Sequence, residues 1–155
     1  MLQPNRFDPL IRGLSSKVHD LNQYLISENI SIFGVAESFL YNDNLPSNLD
    51  KDYLWIGKCR KGEKTRGGIG LCVSREISVL DDNLHGSKDD SFERLWSLVR
   101  INNTKTAIGV AYFPNDGVEK EKTDALYYEL LENVSYFNNL GFNIILMGDF
   151  NGKCS

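Results

Sequence analysis

The sequence predicts an α/β protein, and three observations carry that expectation. Helical and strand-like patterns alternate along the chain, several strands are continuous apolar runs, and two of those runs end on a carboxylate, Glu37 and Asp149. Continuous apolar runs mark strands covered on both faces, as in sheets flanked by helices. A chain of 155 residues is expected to form a single domain around one core.

The start, Met1 to Pro9, holds two prolines and reads as irregular. Ser15 or Ser16 then caps a helix whose stripe is Val18, Leu21 and Leu25, and Asn29 stops it. Ile30 to Ala36 (ISIFGVA) follows as a buried strand ending on Glu37. Asn, Asp, Ser and Pro make Tyr41 to Lys51 a loop, and Tyr53 to Gly57 is a strand. Lys58 to Arg66 is a charged hairpin or loop, whose five Lys and Arg side chains are interrupted by Glu63 and read as a solvated surface.

Gly67 to Ser74 (GGIGLCVS) lacks the spacing of a dinucleotide loop, so its glycines are expected to admit the chain to a tightly packed strand. Phe92 to Ile101 alternates, with Trp96 and Leu98 on one face and Leu95, Val99 and Ile101 on the other. Trp96 and Trp55 are both expected in cores. Thr106 to Tyr112 is a buried strand, broken by the turn residues Pro114, Asn115, Asp116 and Gly117. Leu126, Leu130, Val134 and Phe137 give the stripe of a long helix from Lys120 to Asn139, with Gly141 at its C′ position. Asn143 to Met147 is the last buried strand, and it delivers Gly148-Asp149-Phe150-Asn151.

Composition narrows the function classes. A net charge of −4 argues against a protein that holds nucleic acid chiefly by neutralising phosphates. Acidic proteins cut phosphodiesters when carboxylates bind a divalent cation, which then supplies the positive charge. Cys59, Cys72 and Cys154 are odd in number without C-x-x-C spacing, so the expectation is a reducing, intracellular compartment with neither disulfides nor a zinc site. No apolar run approaches the roughly 18 residues of a membrane span, and no membrane association is expected.

Ligands of open α/β sheets gather beyond the strand carboxyl ends. Taken singly, Glu37 or Asp149 is more often a solvated acid where a strand leaves the core. The set is more telling. Gly148 allows a sharp backbone turn, Asp149 accepts a hydrogen bond or binds a hard cation, and Asn151 offers an amide donor and acceptor. Tyr112 adds a phenol at the end of a third buried strand. Carboxylates for a cation and for water, with neutral donors for phosphate oxygens, are the parts that metal-assisted phosphoryl hydrolysis requires.

The order Arg12-Gly13-Leu14-Ser15-Ser16-Lys17, helix, ISIFGVAES, GGIGLCVS, AYFPN, helix, ILMGDFN resembles the endonuclease/exonuclease/phosphatase superfamily. Its nearest resemblance is to the apurinic-endonuclease-like domain of non-LTR retrotransposons. That resemblance implies a four-layer α/β/β/α sandwich and a hydrolase dependent on Mg²⁺ or Mn²⁺ that acts on DNA or another phosphodiester. It implies that Glu37 binds the metal, Tyr112 contacts the scissile phosphate, Asp149 activates or positions the water and Asn151 binds phosphate oxygens.

Two departures qualify what the resemblance implies. Where the family has an asparagine two residues before the Arg-Gly pair, this chain has Leu10, which offers no ligand. Family members also continue past the G-D-F-N run to a closing Ser-Asp-His, and neither His19 nor His85 replaces that histidine. The expectation is a C-terminally incomplete domain with weak or no activity, self-associating through an exposed inner sheet face. A non-catalytic relic or interaction module of the same half-fold, and a phosphatase or phosphodiesterase of the same superfamily, are the rival readings.

Overall fold

The computed structural model describes residues 6–12, 14–40, 45–58, 67–81, 93–113 and 120–151. They form β1 (Arg6–Arg12), α1 (Leu14–Glu28), β2 (Ile30–Ala36), α2 (Ser47–Asp50), β3 (Tyr53–Lys58), β4 (Ile69–Ser74), β5 (Ser78–Asp81), β6 (Glu93–Ile101), β7 (Thr104–Tyr112), α3 (Lys120–Asn139) and β8 (Asn143–Asp149). The fold is the α/β architecture expected, with a four-stranded sheet in order β1-β2-β4-β3 and another in order β5-β6-β7-β8. The chain divides into two compact units, Met1–Ser78 and Val79–Ser155.

In the first unit β1 runs parallel to β2, while β4 is antiparallel to both β2 and β3. Leu14, Leu21 and Leu25 of α1 pack with Phe33, Val35, Tyr53 and Cys72 in one buried cluster. Tyr53 meets Phe33 edge-on at 5.3 Å, and its hydroxyl donates to the Ile30 carbonyl at 2.6 Å. Burial, followed by the charges of Cys72 and Asp52, raises the Tyr53 hydroxyl to about 12.

The expectation of an irregular stretch through residue 9 is corrected from Arg6 onward. A parallel edge strand forms there despite Pro9, because an edge strand offers one side free of ladder bonds. The cost is visible as register shifts between Arg6 and Phe7 and between Asp8 and Ile11, the second one spanning Pro9. Three smaller corrections follow. Helix α1 begins at Leu14, so Ser15 and Ser16 lie in its first turn and not at the cap. The loop expected over Tyr41 to Lys51 contains the short helix α2. The sequence reading also omitted β5, a four-residue strand.

The expected glycine packing in β4 is present. A Cβ on Gly70 would lie 2.2 Å from the Trp55 ring, so the indole occupies the space that a side chain would take.

In the second unit β6 and β7 form an antiparallel hairpin through Asn102 and Asn103, both at positive φ, and β8 joins parallel to β7. Helix α3 packs Leu126, Leu130 and Phe137 against Trp96, Ala107, Ala111 and Phe113. Trp96 lies over Gly109, and its indole N–H donates to Asn133 Oδ1 at 3.1 Å. Gly141 ends the helix with φ +79°, its N–H and that of Phe142 bonding the Asn138 and Phe137 carbonyls.

Apolar residues of β6, β7 and β8 on the face away from α3, including Val99, Ile108, Val110 and Met147, are also buried. Buried apolar residues thus lie on both faces of this sheet among the described residues. Their exposed large apolar side chains include Ile26 in α1 and Tyr128, Leu131 and Tyr136 in α3. The basic loop after Lys58, the turn Pro114 to Gly117, His85, Cys59 and Cys154 lie outside the described residues, as does the side chain of Leu10. His19 is exposed on α1, as a solvated histidine would be.

Candidate active site

In the first unit, β2 ends at Ala36 and the chain turns at Glu37, whose φ is 49°. A left-handed backbone at a residue with a Cβ is uncommon and costs energy that its surroundings must repay. Here the following residues supply anchors. The Ser38 and Phe39 N–H groups donate to the carbonyls of Gly68 and Gly67 at 3.0 and 3.2 Å, and Ser38 O accepts from Leu14 N at 3.1 Å. Gly67 and Gly68 both have positive φ, which lets the strand entry present those carbonyls. Glu37 itself is half-buried, and Ser38 Oγ beside it is buried with no hydrogen-bond partner among the described residues. Cys72 is buried in β4 and its thiol is pushed well up by loss of solvent, which removes it as a nucleophile.

In the second unit, Tyr112 and Asp149 sit opposite each other at the C-terminal ends of the parallel strands β7 and β8. The same rung continues into β6, where Glu93 pairs with Tyr112. Side chains alternate across a sheet, so the residues after Tyr112 and Asp149 turn the other way. Phe113 and Phe150 accordingly join the cluster beneath α3, with ring centroids 5.5 Å apart.

Backbone and side-chain bonds tie these strand ends together. Phe113 N donates to Asp149 O at 2.9 Å. Asn151, at φ 42°, folds back so that its N–H donates to Asp149 Oδ1 at 3.2 Å, and its Nδ2 donates to Phe113 O at 2.6 Å. Asp149 Oδ2 is buried as well. The amide of Asn151 is thereby held in one orientation, and among the described residues one of its two Nδ2 N–H bonds has no acceptor.

Gly148 has a different role from the one expected. It lies within β8 opposite Ala111, and a Cβ there would stand 2.4 Å from the Ala111 carbonyl oxygen. Close approach of two backbones, and not a sharp turn, excludes a side chain at this position.

Of the four candidate residues, Tyr112, Asp149 and Asn151 are brought together at one sheet end, whereas Glu37 belongs to the other unit, at the end of β2. The sequence reading missed the supporting aromatics. The spacing 127, 130, 134 and 137 on α3 and the alternation of Tyr112 with Phe113 and of Asp149 with Phe150 are the signals that would have found them.

Among the described residues no three His, Cys, Asp or Glu side chains cluster as a metal site. The hard oxygens of Glu37 suit Mg²⁺, which keeps several waters and binds through one or two carboxylates.

No family model matches the sequence, and no curated protein matches it. Solved structures do. The human Nocturnin catalytic domain superposes with a TM-score of 0.75 at 14% identity, over 97% of this chain and 66% of that one. The D. rerio TDP2 complexed with single-strand DNA product gives 0.68 at 14% identity, over 92% and 56%. The endonuclease domain of TRAS1, a telomere-specific non-LTR retrotransposon, gives 0.66 at 15% identity, over 97% and 61%. This chain thus spans between 56% and 66% of the length of these three structures. At such identities the likeness is one of fold, and on that ground the chain has the fold of the endonuclease/exonuclease/phosphatase superfamily.

Proposed function

We propose that this chain carries part of a Mg²⁺-dependent phosphodiester hydrolase of the DNA-endonuclease type, and that its relatives are the endonucleases of non-LTR retrotransposons. The observation that carries this reading is the constellation at the ends of β7 and β8, where Tyr112 and Asp149 share a rung and Asn151 is clamped to both strands. The fold it shares with a TDP2 structure holding a DNA product and with the TRAS1 endonuclease domain supports DNA as the substrate class.

In this reading Asp149 orients the attacking water and accepts its proton. Asn151 donates its remaining amide N–H to a phosphate oxygen, and the Tyr112 phenol donates to another, so both stabilise charge that grows toward the transition state. Glu37 would be the residue to hold a cation, by its one carboxylate. When bound, Mg²⁺ supplies Lewis-acid polarisation of the phosphate.

The test is nicking of supercoiled plasmid by the full chain, with and without Mg²⁺. Weak nicking that disappears on chelation and in Asp149→Ala is the expected result. Equal rates for the chain and Asp149→Ala would overturn the reading. They would favour a non-catalytic interaction module, which the apolar Leu10 in place of the family's asparagine also favours.

A further inference from the structure

Tyr127, on α3, meets both strand ends of the candidate site. Its ring stacks on Phe113 with centroids 4.3 Å apart and planes 19° apart, and its hydroxyl donates to Phe150 O at 3.3 Å. Phe113 directly follows Tyr112, and Phe150 lies between Asp149 and Asn151. The contacts therefore form one continuous path. Tyr127 holds Phe113 by its ring, Phe113 accepts from Asn151 Nδ2 and donates to Asp149 O, and Asn151 N–H reaches Asp149 Oδ1.

We propose that Tyr127 is a positioning residue for hydrolysis, fixing the spacing of the β7 and β8 ends and with it the aim of the Asp149 carboxylate and the Asn151 amide. The proposal rests on the reading of that sheet end as the phosphate-handling site. A plain core position beneath a sheet is filled as well by phenylalanine or leucine. Tyr127 instead places a polar atom on the one carbonyl between the two catalytic candidates, and it is only half-buried. Misplacement of a reacting group by about 1 Å costs on the order of 100-fold in rate, so small relaxations of this pair of strand ends are kinetically visible.

Two variants separate positioning from packing. Tyr127→Phe keeps the stack on Phe113 and removes the hydroxyl, whereas Tyr127→Leu removes both. Thermal unfolding, amide exchange at Phe113 and Asn151 relative to Ile108 and Val110, and Mg²⁺-dependent nicking are measured on the full chain. For Tyr127→Phe the expected result is a thermal midpoint close to the parent, faster exchange at Asn151, and kcat lower by about 10-fold with KM unchanged. For Tyr127→Leu, exchange at Phe113 also rises and kcat falls by roughly 100-fold.

Unchanged exchange at both amides in Tyr127→Phe overturns the proposal, as does a rate loss that only tracks the fraction unfolded. The outcome is separable from that of the parent reading. If the chain nicks no faster than Asp149→Ala, the hydrolase reading fails. The exchange data then still decide whether Tyr127 fixes the strand ends.

Discussion

Gly148 and Tyr53 show how single positions carry constraints that pattern alone does not reveal. The Ala111 carbonyl stands where a Cβ of residue 148 would go, and it belongs to the paired strand and cannot swing aside. Gly148→Ala is expected to destabilise the chain by about 1–3 kcal/mol, the usual cost of overpacking, measured by urea unfolding. Tyr53 is informative in another way. Its hydroxyl is raised to about 12 from an ordinary value of 10.0, first by burial, so the folded chain holds that proton more tightly than the unfolded chain. The stability this gives is whole below pH 10 and is lost as pH rises from about 10 to 12. Tyr53→Phe should lose about 1 kcal/mol at neutral pH with its bond to Ile30 O, and chemical unfolding should show a shallower decline across that alkaline window.

At the scale of elements, much of the fold was legible and the exceptions have physical causes. Strands β2, β7 and β8 read clearly because they are continuous apolar runs, and α3 because its stripe holds over 20 residues. Strand β1 was missed because Pro9 suggests a break, and only its edge position and the register shift around Pro9 make the proline tolerable. Strand β5 has four residues of mixed exposure, too few to establish an alternation. Within the site the polar residues were readable, but the way Phe113, Tyr127 and Phe150 brace them was not, since that depends on which face each strand turns to α3. The end of α3 gives its own test. Nothing lies within 4 Å of a Cβ built on Gly141, so its requirement is purely the φ of +79°. Gly141→Ala is expected to lower stability by about 1–2 kcal/mol and Gly141→Asn by less, because asparagine tolerates the left-handed region; thermal unfolding of the pair checks the order.

For the whole molecule, charge sets the terms of any encounter with DNA. With 21 acidic and 17 basic residues, the chain has no electrostatic surplus to offer a phosphate backbone. If it acts on DNA as proposed, binding measured by fluorescence anisotropy of a labelled duplex should be weak in chelator and should strengthen on adding Mg²⁺. A Mg²⁺-independent affinity that falls steeply with salt would instead indicate contacts through Lys and Arg. The basic residues between Lys58 and Arg66 are the group in which to look for them.

The indoles laid over glycines in the two sheets also make the chain its own reporter. Its two tryptophans are Trp55, over Gly70 in the unit Met1–Ser78, and Trp96, over Gly109 in the unit Val79–Ser155. Each ring fills the gap left by a missing side chain, so loosening of its sheet changes the ring's surroundings directly. Intrinsic fluorescence of Trp96→Phe and Trp55→Phe would therefore follow one unit at a time without any attached dye, and coincidence or separation of the two melting curves would tell whether the units unfold as one.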